Sequence, residues 1–180
     1  NKNDILKSYI NTISGYENVV SLKSLAEYRR SKRQKGLLLR NITINNSIDT
    51  IPKIAAGSSL KVNLKIFREK EFKQGEIFHV VLVIKDIKHK VIAWISSKDF
   101  NKTFTPKIEV TALTFELTNV LNEGLYTLTL GISPLEGIAY DVIEDMPFFL
   151  SLGSLNLFKP ARPTGLIDFI DVKWNSENES

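Results

Sequence analysis

Gly124-Leu125-Tyr126-Thr127-Leu128-Thr129-Leu130-Gly131-Ile132 alternates with a period of two. Tyr126, Leu128, Leu130 and Ile132 fall on one face, and Leu125, Thr127, Thr129 and Gly131 on the other. That pattern describes a strand with one buried face. Asn122-Glu123-Gly124 supplies turn chemistry before it, and Ser133-Pro134 ends it.

The same period governs the chain from Gly36 onward. It predicts strands at 37–45, 59–68, 76–86, 90–97, 108–118, 124–132, 138–150 and 166–174. Turn residues separate them, as in Asn45-Asn46-Ser47, Ala56-Gly57-Ser58, Lys73-Gln74-Gly75 and Asp99-Phe100-Asn101. Seven or eight such strands with no helical pattern between them indicate an antiparallel sandwich or barrel. About 135 residues accommodate an immunoglobulin-like sandwich generously. The fold class is therefore all-β: an immunoglobulin-like antiparallel β-sandwich of about eight strands.

The alternation also sorts faces. In 76–86, Phe78, Val80, Leu82 and Ile84 point to the core, while His79, Val81, Val83 and Lys85 point away. In 90–97, Ile92, Trp94 and Ser96 share a face. If 76–86, 90–97, 124–132 and 138–150 form one sheet, its outer face carries His79, Val81, Val83, Thr127, Thr129, Trp94 and either Tyr140 or Asp141. A face that apolar calls for a cover, either a ligand or a partner chain.

The N-terminal part reads differently. Residues 3–14 form a helical pattern, capped by Asn3 or Asp4, with Ile5, Leu6, Tyr9, Ile10 and Ile13 on one stripe and Gly15 as its stop. The chain then carries Arg29-Arg30-Ser31-Lys32-Arg33-Gln34-Lys35 within a formal net charge of +4. Such a run reads as a solvated linker or as a contact with phosphates, for which membrane headgroups or another domain are better partners than nucleic acid. Without interleaved aromatics or a nucleic-acid motif, nucleic acid is not an expected partner. Two units follow: a helical linker at 1–35 and the sandwich at 36–180.

Several chemistries are excluded or disfavoured. The chain has no cysteine, so disulfides, zinc–thiolate sites and thiol nucleophiles are absent. No run approaches the roughly 18 apolar residues of a membrane-spanning helix. No signal-peptide pattern opens the chain. Phosphate-loop, dinucleotide-binding and nucleophile-elbow motifs are missing, and no cofactor is expected. Only His79 and His89 are histidines, and they do not stand at metal-ligand spacing. Glu144-Asp145 and Asp168/Asp171 are carboxylate pairs of the kind used on glycosides, but pairs of this kind are common on any surface and a catalytic role is disfavoured. The sequons at Asn41, Asn45, Asn101 and Asn178 suit an asparagine-rich chain and imply no glycosylation. Sugar binding needs less: rings that stack on C–H faces and polar groups that fix hydroxyls. Trp94 and Tyr140 supply rings; His79, Thr127, Thr129 and Asp141 supply polar contacts.

The order of the strands, above all Glu123 to Ile132 with Ala139-Tyr140-Asp141-Val142 and Met146-Pro147-Phe148-Phe149-Leu150 after it, resembles the C-terminal carbohydrate-binding domain of Wzt-type ATPases. The earlier pieces Gly36 to Ile44, Leu60 to Ile66 and the hairpin from Phe78 to Trp94 occur in the matching order, and Gly165 to Trp174 ends in an aromatic. Those ATPases serve ABC transporters that export O-antigen polysaccharide. Asp4-Ile5-Leu6-Lys7-Ser8-Tyr9 is similar to the last helix of such an ATPase domain, which fits a chain that opens on Asn1. The resemblance implies a non-catalytic glycan-recognition domain, a homodimer that often exchanges a strand, and a membrane-spanning transporter subunit reached through the ATPase domain. It also implies a cytoplasmic position peripheral to the inner membrane, and recognition of the polysaccharide, often at its non-reducing end. Trp94 stands where the family is expected to carry a small residue, which implies a repacked sheet or a ligand platform. The competing expectation is a structural sandwich that only dimerises or docks onto the transporter.

Overall fold

The computed structural model describes residues 25–46, 51–106, 109–153 and 172–178. The helical pattern at 3–14 and the carboxylates Asp168/Asp171 lie outside the described residues. Among the described residues one helical turn, α1 (Leu25–Tyr28), precedes nine strands: β1 (Leu37–Ile44), β2 (Lys53–Ala55), β3 (Ser59–Arg68), β4 (Phe78–Asp86), β5 (Val91–Ser96), β6 (Val110–Thr118), β7 (Gly124–Pro134), β8 (Asp141–Leu152) and β9 (Lys173–Asn178). They form a sandwich of two sheets, ordered β1-β3-β6-β9 and β2-β8-β7-β4-β5. The expected grouping of β4, β5, β7 and β8 in one sheet is present.

Alternation explains the core. Leu37, Leu39, Leu60, Leu64, Leu113 and Phe115 from the first sheet meet Phe78, Leu82, Ile84, Leu128, Leu130 and Phe148 from the second, all fully or almost fully buried. Burial of such side chains contributes roughly 1.5–3 kcal/mol each before the entropy of ordering is subtracted. Trp174 closes the cluster, with its ring 5.2 Å from Phe115 and 6.2 Å from Phe104.

The two outer faces differ. On the four-stranded sheet, Thr43 lies opposite Asn63, and Asn63 opposite Thr114. Asn63 Nδ2 donates to Thr43 Oγ1 at 3.2 Å, and Thr114 Oγ1 donates to Asn63 Oδ1 at 2.8 Å. That is a polar cross-strand ladder. The outer face of the five-stranded sheet carries Val81, Val83, Val91 and Trp94 instead.

The structure corrects several expectations. β2 was not expected; it is three residues long and pairs with β8 in parallel, too short to show periodicity. The last described strand starts at Lys173 and runs on to Asn178, whereas the pattern predicted 166–174; residues 166–171 lie outside the described residues. Ile92 leaves the face of Trp94, because the register slips between Ile84 and Lys85: Ile84 faces Ala93 but Lys85 faces Val91. Ile92 is the extra residue of that bulge and packs against the core.

The largest correction concerns the basic run, which is held against the sandwich rather than left as a solvated linker. Arg29 Nε donates to Asp141 Oδ1 at 3.0 Å, and its Nη2 donates to the Leu39 carbonyl at 2.6 Å. Arg33 forms a two-pronged pair with Glu69, both contacts at 2.7 Å, and Lys35 Nζ lies 3.4 Å from Glu71. The backbone of the run is also held: Arg30 N–H donates to the Val142 carbonyl at 2.9 Å, and Gln34 N–H to the Ala139 carbonyl at 3.1 Å. Residues 29–35 are thus a strap bound across the sandwich. Gly36 ends it with φ of +148°. A Cβ there would lie 2.9 Å from the Tyr140 ring, so glycine is required.

No helix among the described residues is long and apolar enough to cross a membrane.

Two stability predictions follow from the strap. Arg33, and after it the Gly36 N–H, hold the Glu69 carboxyl at about 2, below its ordinary 4.5. The unfolded chain therefore binds the proton first as pH falls. The stabilisation is complete above about pH 4.5 and is lost as pH falls toward about 2. In urea denaturation across that window, Glu69→Gln is expected to be less stable at pH 6 and to show a shallower acid loss than the parent. Asp141→Ala strands Arg29 and the Leu39 N–H, and is expected to lower the unfolding free energy by about 3 kcal/mol, measured the same way.

Candidate functional site

A cleft of about 510 Å³ opens on the outer face of the five-stranded sheet. Period-two alternation builds its floor: Val81 and Val83 on β4, Gly131 on β7 and Val142 on β8 sit side by side through the register Val81 to Gly131 to Val142. Gly131 deepens the floor. A Cβ there would meet only Val142 Cγ2, at 3.9 Å, an ordinary contact. On β5, Trp94 pairs with Val83 and stands 54% exposed. Its ring flanks the cleft as an open platform. The opposite end is formed by Pro134 at the end of β7 and by Leu135, Gly137 and Ala139 of the β7–β8 connection.

His79 lies at that end, opposite Ser133, and is only 9% exposed. Its Nδ1 is buried and has no hydrogen-bond partner among the described residues. Burial, and next the charge of Lys98, lower its pKa from the ordinary 6.5. The ring is therefore neutral at pH 7 and offers one donor and one acceptor.

A second bulge arranges the polar rim. Leu128 faces Met146 and Leu130 faces Ile143, so Glu144 and Asp145 both stand opposite Thr129. Asp145 takes a left-handed backbone, φ of +51°. Its carboxylate accepts from Lys85 Nζ at 2.7 Å and from Thr129 Oγ1 at 3.2 Å, while Thr129 Oγ1 accepts from the Asp145 N–H at 3.1 Å. Burial pushes the Asp145 carboxyl up, but Lys85, Thr129 and His89 outweigh it and hold it below the usual carboxylate range. Glu144 lines the cleft and accepts from Arg30 Nε at 3.0 Å.

Of the residues expected to touch sugar, His79, Trp94 and Thr129 line this cleft. Thr127 is on the same face beside Lys85, half-buried outside the lining, and its Oγ1 has no partner among the described residues. Tyr140 and Asp141 are elsewhere. Tyr140 is a core residue, edge-on to Phe72 at 5.5 Å, and its hydroxyl donates to Glu76 at 3.1 Å. Burial first, then Glu76, push its pKa up to about 12. Asp141 is fully buried and accepts from Arg29 and from the Leu39 N–H. It pairs with Ile132, whose side chain points inward, and this register puts Asp141 inside. The alternation on β4 already placed Lys85 on this face. Glu144 and Arg30 were not readable as a pair, because their contact spans 114 positions. Among the described residues, no group of His, Asp or Glu side chains is arranged to hold a metal.

Among solved structures, the chain is similar to the crystal structure of the C-terminal domain of Wzt. The TM-score is 0.58 at 18% sequence identity, covering 73% of this chain and 81% of that one. The likeness is one of fold. No family model matches the chain, and no curated protein matches it.

His79 is expected to titrate below 6.5 in an NMR pH series, with the midpoint moving up in Lys98→Gln. Since the unfolded imidazole binds the proton more readily, this group takes stability away as pH falls below about 6.5.

Proposed function

We propose that this chain is a non-catalytic polysaccharide-recognition domain, which reads a cell-surface glycan of O-antigen type for export by an ABC transporter. The observation that carries the reading is the half-exposed Trp94 ring beside a preformed cleft on one sheet face. Aromatic stacking and a few fixed polar groups are what a sugar ring requires. The likeness in fold to the C-terminal domain of Wzt supports the transporter context. That context carries with it an upstream ATPase domain, a cytoplasmic site beneath the inner membrane and a homodimer. A short cleft holds few sugar rings, and hydroxyls exchange water for protein with little net gain. Single-site affinity is then modest, and a bivalent dimer raises it through effective concentration.

A second reading uses the same surface. Trp94, Leu135 and Ile138 are all exposed, and an apolar rim of this kind also suits contact with a partner protein. Under that reading the sandwich only dimerises or docks onto the transporter.

The test is an amide-shift titration of residues 1–180 with the source organism's surface polysaccharide, with and without its terminal modification. Saturable shifts on β4, β5 and β7 are expected. Gly131→Val fills the floor and is expected to abolish them. Trp94→Ala is expected to weaken binding roughly tenfold. No shifts at about 1 mM sugar would leave the docking reading in its place.

A further inference from the structure

The strap and the cleft share a wall. Arg30 lines the cleft together with Glu144, its ion-pair partner. The two backbone bonds that seat the strap end on the carbonyls of Val142 and Ala139, and both of those residues line the cleft as well. Arg30 and Glu144 remain about half exposed, at 50% and 42% of their side chains. Arg30 donates through Nε and Nη2 to the same Glu144 oxygen, Oε1. A guanidinium has five N–H donors and a carboxylate two acceptor oxygens, so the pair keeps capacity to donate and accept side by side. Neighbouring hydroxyls on a sugar ring are matched by such a donor and acceptor set at one edge.

We infer that Arg30 is a ligand-contacting residue, and that seating of residues 29–35 and occupancy of the cleft are coupled. The inference rests on the glycan reading of the cleft. A ligand held by Arg30 binds only when the strap is seated, so it stabilises the seated state, and a loosened strap weakens the ligand by the same factor. What holds the strap at its other end is the Arg33–Glu69 pair. Neither residue lines the cleft, so a change there does not touch the ligand directly.

The test is hydrogen exchange by NMR on the chain 1–180, with and without the source organism's surface polysaccharide, in the parent and in Arg33→Ala. Trp94→Ala serves as the control that binding uses the cleft. Glu69→Gln replaces Arg33→Ala if the latter fails to fold. In the parent, saturating polysaccharide is expected to slow exchange at the Arg30 and Gln34 amides more than at the turn amide of Ser58, which is bound to the Ala55 carbonyl. Arg33→Ala is expected to speed exchange at Gln34 without ligand and to weaken binding about fivefold or more. Binding of parental strength in a variant whose Gln34 amide has become fast overturns the coupling while leaving the glycan reading intact. Unchanged exchange at Gln34 in the folded variant overturns it too. If the parent binds no polysaccharide, the glycan reading falls and takes this inference with it.

Discussion

The Asp141 carboxylate is the point on which the architecture turns. It starts β8 in the five-stranded sheet, accepts the Leu39 N–H of β1 in the four-stranded sheet at 2.8 Å, and receives Arg29 of the strap at 3.0 Å. One buried anion thereby joins both layers and the incoming chain. Desolvating a carboxylate is costly, and only a nearby cation with further hydrogen bonds offsets it. That requirement fixes where Arg29 sits. With Arg29 placed, Arg30 falls at the cleft and Arg33 reaches Glu69.

The cleft depends on departures from regular pairing. A sheet with unbroken register would present a uniform outer face. Here the slip beside Ile92 gives Val91 the place next to Lys85, and the doubled residues opposite Thr129 turn two carboxylates outward. Each bulge leaves the core packing in place and changes only what the surface carries. The left-handed backbone at Asp145, with φ of +51°, is costly for a residue with a Cβ, and the bonds to Lys85 and Thr129 keep it there.

Local pattern made most of the fold legible. Strand faces follow from a period of two, so Val81, Val83, Thr129 and Trp94 could be grouped on one surface before any pairing was known. What the pattern could not carry was register. Tyr140 and Asp141 sit where β8 begins, and both side chains are buried there, which an alternation of inward and outward neighbours does not foresee. Long-range charge pairing was equally silent: the partners of Arg29, Arg30 and Arg33 lie 112, 114 and 36 positions away. A basic run alone has the same composition whether it is solvated or consumed. Three-residue β2 lacks the length to show any period.

The two tryptophans of this chain occupy opposite environments. Trp94 is 54% exposed beside the cleft, and Trp174 is 7% exposed against Phe104 and Phe115. Their emission is therefore separable by colour and by access to a dissolved quencher. The red-shifted, quenchable part belongs to the sheet surface, and the blue-shifted, shielded part to the packed interior. The protein carries a built-in pair of optical reporters, one for what settles on its face and one for whether its layers stay together.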